Sequence, residues 1–396
     1  MPYFVSPKIL FGKGILKRLD AEIKGRGKKA LLMTDKNMAP QSAQLAEVIQ
    51  GAGYEVMVWD QAEQEPSIDG AAAGKEALVR FQPQMVTAFG GGSVIDTAKA
   101  AWILYARPDI EVQQIGKEVS PKSRLNLREK AFFLAVPTTS GTGSECTWAV
   151  VLTDKAKNRK IAFANNEIVP DLALLAPEFT VGMPPGLTAS TGMDVLGHAF
   201  DGFTARQQTD FSDGLCLQAM KMAFSWLPKA VKDGGDMVAR EKMQNAAAIA
   251  GMGFGNSNTS LSHALAHSLG VTFHISHGRS VGLALIYSLD YITANPHFEN
   301  TPDPKEKLAS SARFVGINNA SDQEAIKNLI QKIKFLMEEI GEPLSLKEAG
   351  VSPNQFEANL DDLVTRASKD VNMYSTPCEC QGEKLKDLFC RMWVGY

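Results

Sequence analysis

The chain has 396 residues, with 41 lysines and arginines against 44 aspartates and glutamates, a net charge of −3. That length is too great for one ordinary core and predicts two domains, each able to bury its own hydrophobic interior. The near-neutral balance and the lack of an extended basic stripe exclude phosphate-backbone recognition, so no nucleic-acid partner is expected.

The N-terminus, Met1 to Lys8, lacks a basic segment followed by an apolar core, and no uninterrupted apolar run approaches the length of a membrane span. A soluble cytoplasmic protein without a membrane partner is therefore expected. Five cysteines, Cys146, Cys216, Cys378, Cys380 and Cys390, lack zinc-ribbon spacing and read as free thiols of a reducing compartment. The densest basic run, Lys24 to Lys29, leads into an apolar segment and reads as a solvated loop before a strand.

Up to about residue 180, short apolar runs alternate with amphipathic stretches. Lys29–Thr34, Tyr54–Trp59, Met85–Phe89, Phe132–Val136 and Leu172–Leu175 predict buried strands, with helices near Ala39–Gly51, Ser67–Phe81 and Ser93–Tyr105. This order predicts a parallel sheet covered by helices, an α/β Rossmann-like domain over residues 1–182. Met183-Pro184-Pro185-Gly186 breaks the pattern and reads as a linker.

Two loops at strand ends can cradle a nucleotide. Gly90-Gly91-Gly92 follows a strand, and Ser93 with Asp96 reads as a capping box for the next helix, whose N-terminus suits a pyrophosphate. The run Pro137-Thr138-Thr139-Ser140-Gly141-Thr142-Gly143-Ser144-Glu145 adds hydroxyls and glycines at the same end of the sheet, where open α/β folds bind ligands. Asp35, ending an earlier strand, can accept from an adenosine ribose and repel a 2′-phosphate, although for a lone aspartate a turn or cap role is the better reading.

Beyond the linker, residues 183–396 show helical periodicity and predict an all-helical domain. Asp194 and His198 are four apart and share a helix face; four more of the six histidines follow between His263 and His277, with His297 last. Asp194, His198, His263 and His277 offer one carboxylate and three imidazoles, a set suited to ferrous iron or zinc and too rich in nitrogen for magnesium or calcium. His267, one turn beyond His263, is either a further ligand or a proton carrier, and spacing does not separate the two roles. His274 reads as a loop residue and His297 as a surface one. Further on, Ser321 to Glu324 caps a helix with apolar residues at threes and fours from Ile326 to Ile340, stopped by Gly341.

Taken together, Gly90-Gly91-Gly92-Ser93-x-x-Asp96-x-x-Lys99, the Pro137–Glu145 run, Asp194-x-x-x-His198-Ala199 and His263-x-x-x-His267 with His277-Gly278 resemble the iron-containing (group III) alcohol dehydrogenases. That family shares a fold group with glycerol dehydrogenase and dehydroquinate synthase. The resemblance runs from Ile9 to about Leu289. It implies a dinucleotide-binding first domain, a helical metal-binding second domain, and NAD(P)-linked interconversion of alcohols and aldehydes with Fe2+, or alternatively Zn2+; Asp35 points to NAD as the cofactor, and a homodimer or larger homo-oligomer is expected.

Carried over position by position, the resemblance makes Asp194, His198, His263 and His277 the metal ligands and puts His267 near the nicotinamide and substrate. Gly91, Gly92, Ser93 and Asp96 would hold the pyrophosphate, Thr138, Thr139 and Thr142 would lie along the cofactor, Lys160 would reach it, and Asp35 would face the ribose. Trp148 and Phe254 are candidates for the pocket wall.

The chain departs from the family at Gln64-Glu65-Pro66, where an asparagine is usual, at Leu175-Ala176-Pro177, and in Ser375–Cys380, which lacks an arginine after its proline. The competing readings are a dehydroquinate-synthase-like lyase or cyclase and polyol oxidation of the glycerol dehydrogenase type. The first expects basic residues around the metal, whereas Ala264, Leu265, Ala266, Leu269, Phe254 and Met252 flank it here.

Overall fold

A computed structural model describes residues 4–157, 159–318 and 321–395. Two compact units emerge, Met1–Gly182 and Met183–Tyr396.

The first unit holds a six-stranded parallel sheet in the order β1-β8-β5-β4-β2-β3. Its strands are β1 (Lys8–Phe11), β2 (Lys29–Met33), β3 (Glu55–Trp59), β4 (Met85–Gly90), β5 (Phe132–Pro137) and β8 (Leu172–Leu175). β6 (Ala149–Asp154) and β7 (Arg159–Ala164) form a separate antiparallel pair that the apolar pattern did not reveal. Helices α1 (Leu19–Ile23), α2 (Ala39–Gly51), α3 (Ile68–Phe81), α4 (Gly92–Ala106) and α5 (Ile115–Glu118) complete the unit.

The sheet is covered on both faces because its strands are apolar throughout. In β2, Leu31 and Met33 pack into one core with α3 and α4, while Ala30 and Leu32 enter the other with α1 and α2. This period of two sends successive side chains to opposite faces. The chain passes outward from β2 to β3 and returns to β4 on the other side of β2, so strand order reverses between β2 and β4. In open α/β sheets the crevice at such a reversal, beyond the C-terminal ends of the strands, is where ligands bind. Asp35 and Gly91 follow those two strands.

The second unit contains, among its described residues, helices and no strand: α6 (Pro185–Thr204), α7 (Asp210–Lys232), α8 (Met237–Gly255), α9 (Leu261–Phe273), α10 (His277–Ala294), α11 (Pro304–Phe314), α12 (Asp322–Glu339), α13 (Pro353–Ser368) and α14 (Glu383–Val394). The expected linker is shorter than the sequence suggests. Pro185 and Gly186 already belong to α6, since proline's fixed φ suits a first helical turn. Ser321 caps α12 by accepting from Glu324 N, one half of the capping box that its sequence predicts. The core of this unit is built from α6, α7, α8, α9 and α10, with Met193, Leu196, Phe200, Leu265 and Leu285 fully buried. No helix among the described residues is long and apolar enough to cross a membrane.

Candidate active site

In the first unit, α4 begins one residue earlier than the sequence indicates. Gly91 is its N-cap, with Val94 N and Ile95 N donating to Gly91 O, and no side chain caps it. The expected Ser93–Asp96 capping box is therefore absent. Ser93 lies inside the first turn, and the Asp96 carboxylate turns away from the helix end: Oδ1 accepts from Ser144 Oγ at 2.6 Å and Oδ2 from Val151 N at 2.9 Å. Both oxygens hold the segment after β5, and a carboxylate repels a pyrophosphate, so contact between Asp96 and that group is indirect at most.

Lys99, fully buried one turn along α4, ties the same segment. Its Nζ donates to Ser144 O at 2.6 Å, Thr147 O at 2.8 Å and Ala149 O at 3.3 Å. Burial pulls the Lys99 ammonium down to about 8 despite Asp96 and Glu145, and burial likewise lifts Glu145 to about 7. The two loops interlock through glycine: a Cβ on Gly92 would lie 2.6 Å from Thr142 Cγ2 and 2.8 Å from its Oγ1. Thr139 packs on Gly91, Thr138 N donates to Gly90 O at 3.0 Å, and buried Ser140 leaves Oγ without a hydrogen-bond partner among the described residues. Helix-start amides, clustered hydroxyls and an orphaned Oγ are a donor set that fits a dinucleotide.

Asp35 sits at a turn. Its Oδ1 accepts from Asn37 N at 2.8 Å, the role expected of a turn residue. Lys160 lies on β7 with Nζ 3.6 Å from Glu65 Oε1, so the residue that departs from the family pattern is the one that faces this lysine. Trp148 is half-buried in the segment between β5 and β6.

In the second unit, one ligand atom from each of Asp194, His198, His263 and His277 lies within 4.8 Å of all the others. α6 supplies the first two, α9 the third and the start of α10 the fourth. Asp194 Oδ1 is 3.7 Å from His198 Nε2, 3.7 Å from His263 Nε2 and 3.5 Å from His277 Nε2. These separations are too long for hydrogen bonds. They are close to the roughly 3.4 Å edge of a tetrahedron of ligands about 2.1 Å from a central ion. Asp194 Oδ1 and His263 Nε2 are both buried without a hydrogen-bond partner among the described residues. Buried lone pairs converging on one point fit a divalent cation and little else.

The carboxylates and imidazoles of the cluster shift one another. Burial alone would raise the Asp194 carboxyl, but His198, His277 and His263 hold it well below the usual carboxylate range. Burial would lower the His263 imidazole, but the Asp194 and Asp201 carboxylates outweigh it and carry it up to about 9.

Three features fix the rings. His198 stacks on Phe254 with centroids 4.0 Å apart and on His263 at 4.6 Å. Asp201, two turns beyond Asp194 on α6, accepts from His263 Nδ1 at 2.8 Å, and from Ser260 N and His263 N. Gly278 lets α10 start against α6, since a Cβ there would lie 2.1 Å from Ser190 O.

His267 lies outside the group of four, its ring centroid 5.5 Å from that of His277 and 6.4 Å from that of His263. Its Nδ1 is 2.8 Å from Asp370 Oδ2. His274 is the left-handed C-cap of α9, with φ 56°, and His297 is exposed. Asp201, Asp370 and Lys99 are the contributors whose tasks the spacing argument missed. Asp201 carried a signal, since i+7 on a helix returns to the face of Asp194.

An α/β unit with an interlocked glycine loop at a strand-order reversal, and a helical unit that gathers one aspartate and three histidines, define a dinucleotide- and metal-dependent class of protein. Residues 6–177 match the family described as iron-containing alcohol dehydrogenase, and residues 188–393 match its C-terminal domain. The chain belongs to the iron-containing alcohol dehydrogenase family. It is 34% identical over 399 residues to an NADPH-dependent butanol dehydrogenase of Clostridium saccharobutylicum, an alignment covering 100% of this chain and 99% of that protein. Among solved structures, an alcohol dehydrogenase from Oenococcus oeni is similar with TM-score 0.90 and 29% identity over 99% of this chain and 100% of that one. Sulfoacetaldehyde reductase from Bifidobacterium kashiwanohense, solved in complex with NAD+, gives TM-score 0.85 and 27% identity over 99% of this chain and 98% of that one.

Proposed function

We propose that the protein is a metal-dependent oxidoreductase that transfers a hydride between NAD(H) and a neutral alcohol or aldehyde. The observation that carries this reading is the buried convergence of Asp194, His198, His263 and His277 on one point. When bound, a divalent ion, Fe2+ or alternatively Zn2+, supplies Lewis acidity to a substrate oxygen, and a nicotinamide supplies or accepts the hydride.

The chain's own residues divide the remaining work. The four ligands hold the ion and the stacked Phe254 excludes water from the His198 ring. His267, beside the cluster but outside it, moves the proton between substrate oxygen and solvent. In the first unit, the amides of Gly91, Gly92 and Ser93 hold the pyrophosphate, Thr138, Thr139 and Thr142 line its path, Lys160 reaches it and Asp35 takes the ribose hydroxyls.

A lyase or cyclase acting on a phosphorylated substrate fits less well. The nearest basic residue along the chain from a ligand is Arg279, and its guanidinium is paired with the buried Glu342 carboxylate at 2.9 Å. Free thiols support a cytoplasmic location, and assembly into a homodimer or larger homo-oligomer belongs to the same reading.

The test is oxidation of NADH by a panel of short aldehydes under anaerobic conditions, with protein loaded with iron or zinc or stripped by chelator. Loaded protein turns over butanal and propanal, and stripped protein does not. Equal rates with and without metal, or no turnover of any aldehyde or alcohol in loaded protein, would overturn the reading.

A further inference from the structure

His263 and His267 stand one turn apart on α9, and each presents Nδ1 to a carboxylate: His263 to Asp201 at 2.8 Å and His267 to Asp370 at 2.8 Å. The first pair is buried and belongs to the metal cluster. The second is only partly buried, with side-chain exposures of 21% for His267 and 15% for Asp370, and its aspartate arrives from 103 residues further along the chain.

Asp370 divides its two oxygens. Oδ1 accepts from Asn372 N at 2.9 Å and caps the short 3-10 turn Val371–Ser375. Serine, threonine or asparagine would serve as well for that cap. Oδ2 pairs with His267, and there a carboxylate differs from every neutral substitute. A carboxylate, unlike a neutral cap residue, can act there purely as an acceptor, which favours a hydrogen on Nδ1 and a lone pair on Nε2.

We propose that Asp370 is a positioning residue that locks His267 in the Nδ1–H tautomer and aims bare Nε2 at the substrate oxygen. The inference rests on the reading of His267 as the proton carrier. In alcohol oxidation the substrate O–H bond would break with its proton forming an Nε2–H bond on His267, and a bound nicotinamide would supply the acceptor for the carbinol hydrogen and its electron pair. The imidazolium then returns its proton to solvent, and in aldehyde reduction the same Nε2–H is given to the oxygen. With the other tautomer Nε2 already carries a hydrogen, and the first step has no acceptor.

The substitution Asp370→Asn isolates this role. The amide oxygen still caps Asn372 N, but the amide nitrogen donates to Nδ1 and so forces the proton of His267 onto Nε2. The direct readout is 15N NMR of histidine-labelled, zinc-loaded protein, with His267 assigned from the spectrum of His267→Ala. The wild type shows an Nδ1–H, Nε2-bare ring and Asp370→Asn the reverse, with metal content and thermal midpoint unchanged.

In kinetics, Asp370→Asn lowers kcat by about 10²-fold or more with little change in KM, and the double variant with His267→Ala is no slower than His267→Ala alone. Asp370→Ser, which also caps the turn, replaces the amide variant if the latter does not fold. An Nε2–H ring in the wild type would overturn the proposal. So would an Asp370→Asn enzyme within about twofold of wild-type kcat while His267→Ala is impaired, or loss of metal from Asp370→Asn. A fully active His267→Ala removes instead the reading of His267 on which the proposal stands.

Discussion

His263 binds the Asp201 carboxylate through Nδ1, which leaves Nε2 as the nitrogen that faces Asp194, His198 and His277. Carboxylates behind ligating histidines hold the ring in place and keep the bound nitrogen bare. In Asp201→Ala the one oxygen that accepts from Nδ1 is lost, so nothing holds the hydrogen there and keeps Nε2 bare for the proposed ion. Metal affinity should fall about 10–100-fold, the usual cost of losing such a partner. Competition with a fluorescent chelator measures it, and an unchanged dissociation constant would show that Asp201 matters only to the fold.

Asp35 makes a second prediction at the same scale. With Oδ1 engaged by Asn37 N, its remaining oxygen can take a ribose hydroxyl and would meet a 2′-phosphate with like charge. Asp35→Gly should raise the ratio of kcat/KM for NADP over NAD by about tenfold or more, roughly 1.4 kcal/mol. The comparison matters because the butanol dehydrogenase relative is NADPH-dependent. A wild type that favours NADP, or a variant with an unchanged ratio, would reduce Asp35 to its turn.

Helical spacing made Asp194 and His198 legible as a pair, because i and i+4 share a face, but it pairs His263 with His267 rather than with His277, which only its residue type and place in the histidine cluster singled out. Asp370 and Lys99 were not legible as partners. Their contacts lie 103 and 45 residues away, and nothing local in the sequence encodes them.

At the scale of elements, the cluster of Asp194, His198, His263 and His277 depends on how closely α10 approaches α6. Gly278 permits it, since any Cβ would strike Ser190 O at 2.1 Å and Ser190 C at 2.7 Å, backbone atoms that cannot swing aside. Gly278→Ala should push the start of α10 outward, carry His277 with it, lower metal content and cost about 1–3 kcal/mol of stability, typical of overpacking. Metal analysis and denaturant unfolding check both parts. Full metal occupancy with unchanged stability would mean that the two helices separate freely.

Five of the six strands of the parallel sheet, and helices α2, α3 and α4, followed from apolar runs bounded by glycine, proline and polar residues; β1, α1 and α5 were not among the predicted elements. The misread elements have physical causes. Ser93 and Asp96 have the composition of a capping box, but a stronger demand, the buried segment from Ser144 to Val151, takes the carboxylate. The β6–β7 pair escaped notice because its second strand, Arg159–Ala164, opens on two exposed basic residues and pairs only with its neighbour.

At the scale of the molecule, alternation of strands and helices announced a parallel sheet, while the order of its strands, and so the reversal between β2 and β4, required the structure. The all-helical character of the second unit was legible because its apolar residues recur at threes and fours. Convergence of three helices on one point was legible only as a chemical requirement, since one ion needs its ligands together. The account therefore rests on that convergence. Its most direct measurement is metal stoichiometry, by elemental analysis of protein purified anaerobically and loaded with iron, for the wild type, His263→Ala and His277→Ala, with circular dichroism to report the fold. One ion per chain in the wild type, and loss of metal and turnover in both folded variants, is the predicted result; stoichiometric metal retained in His263→Ala and His277→Ala would contradict the account.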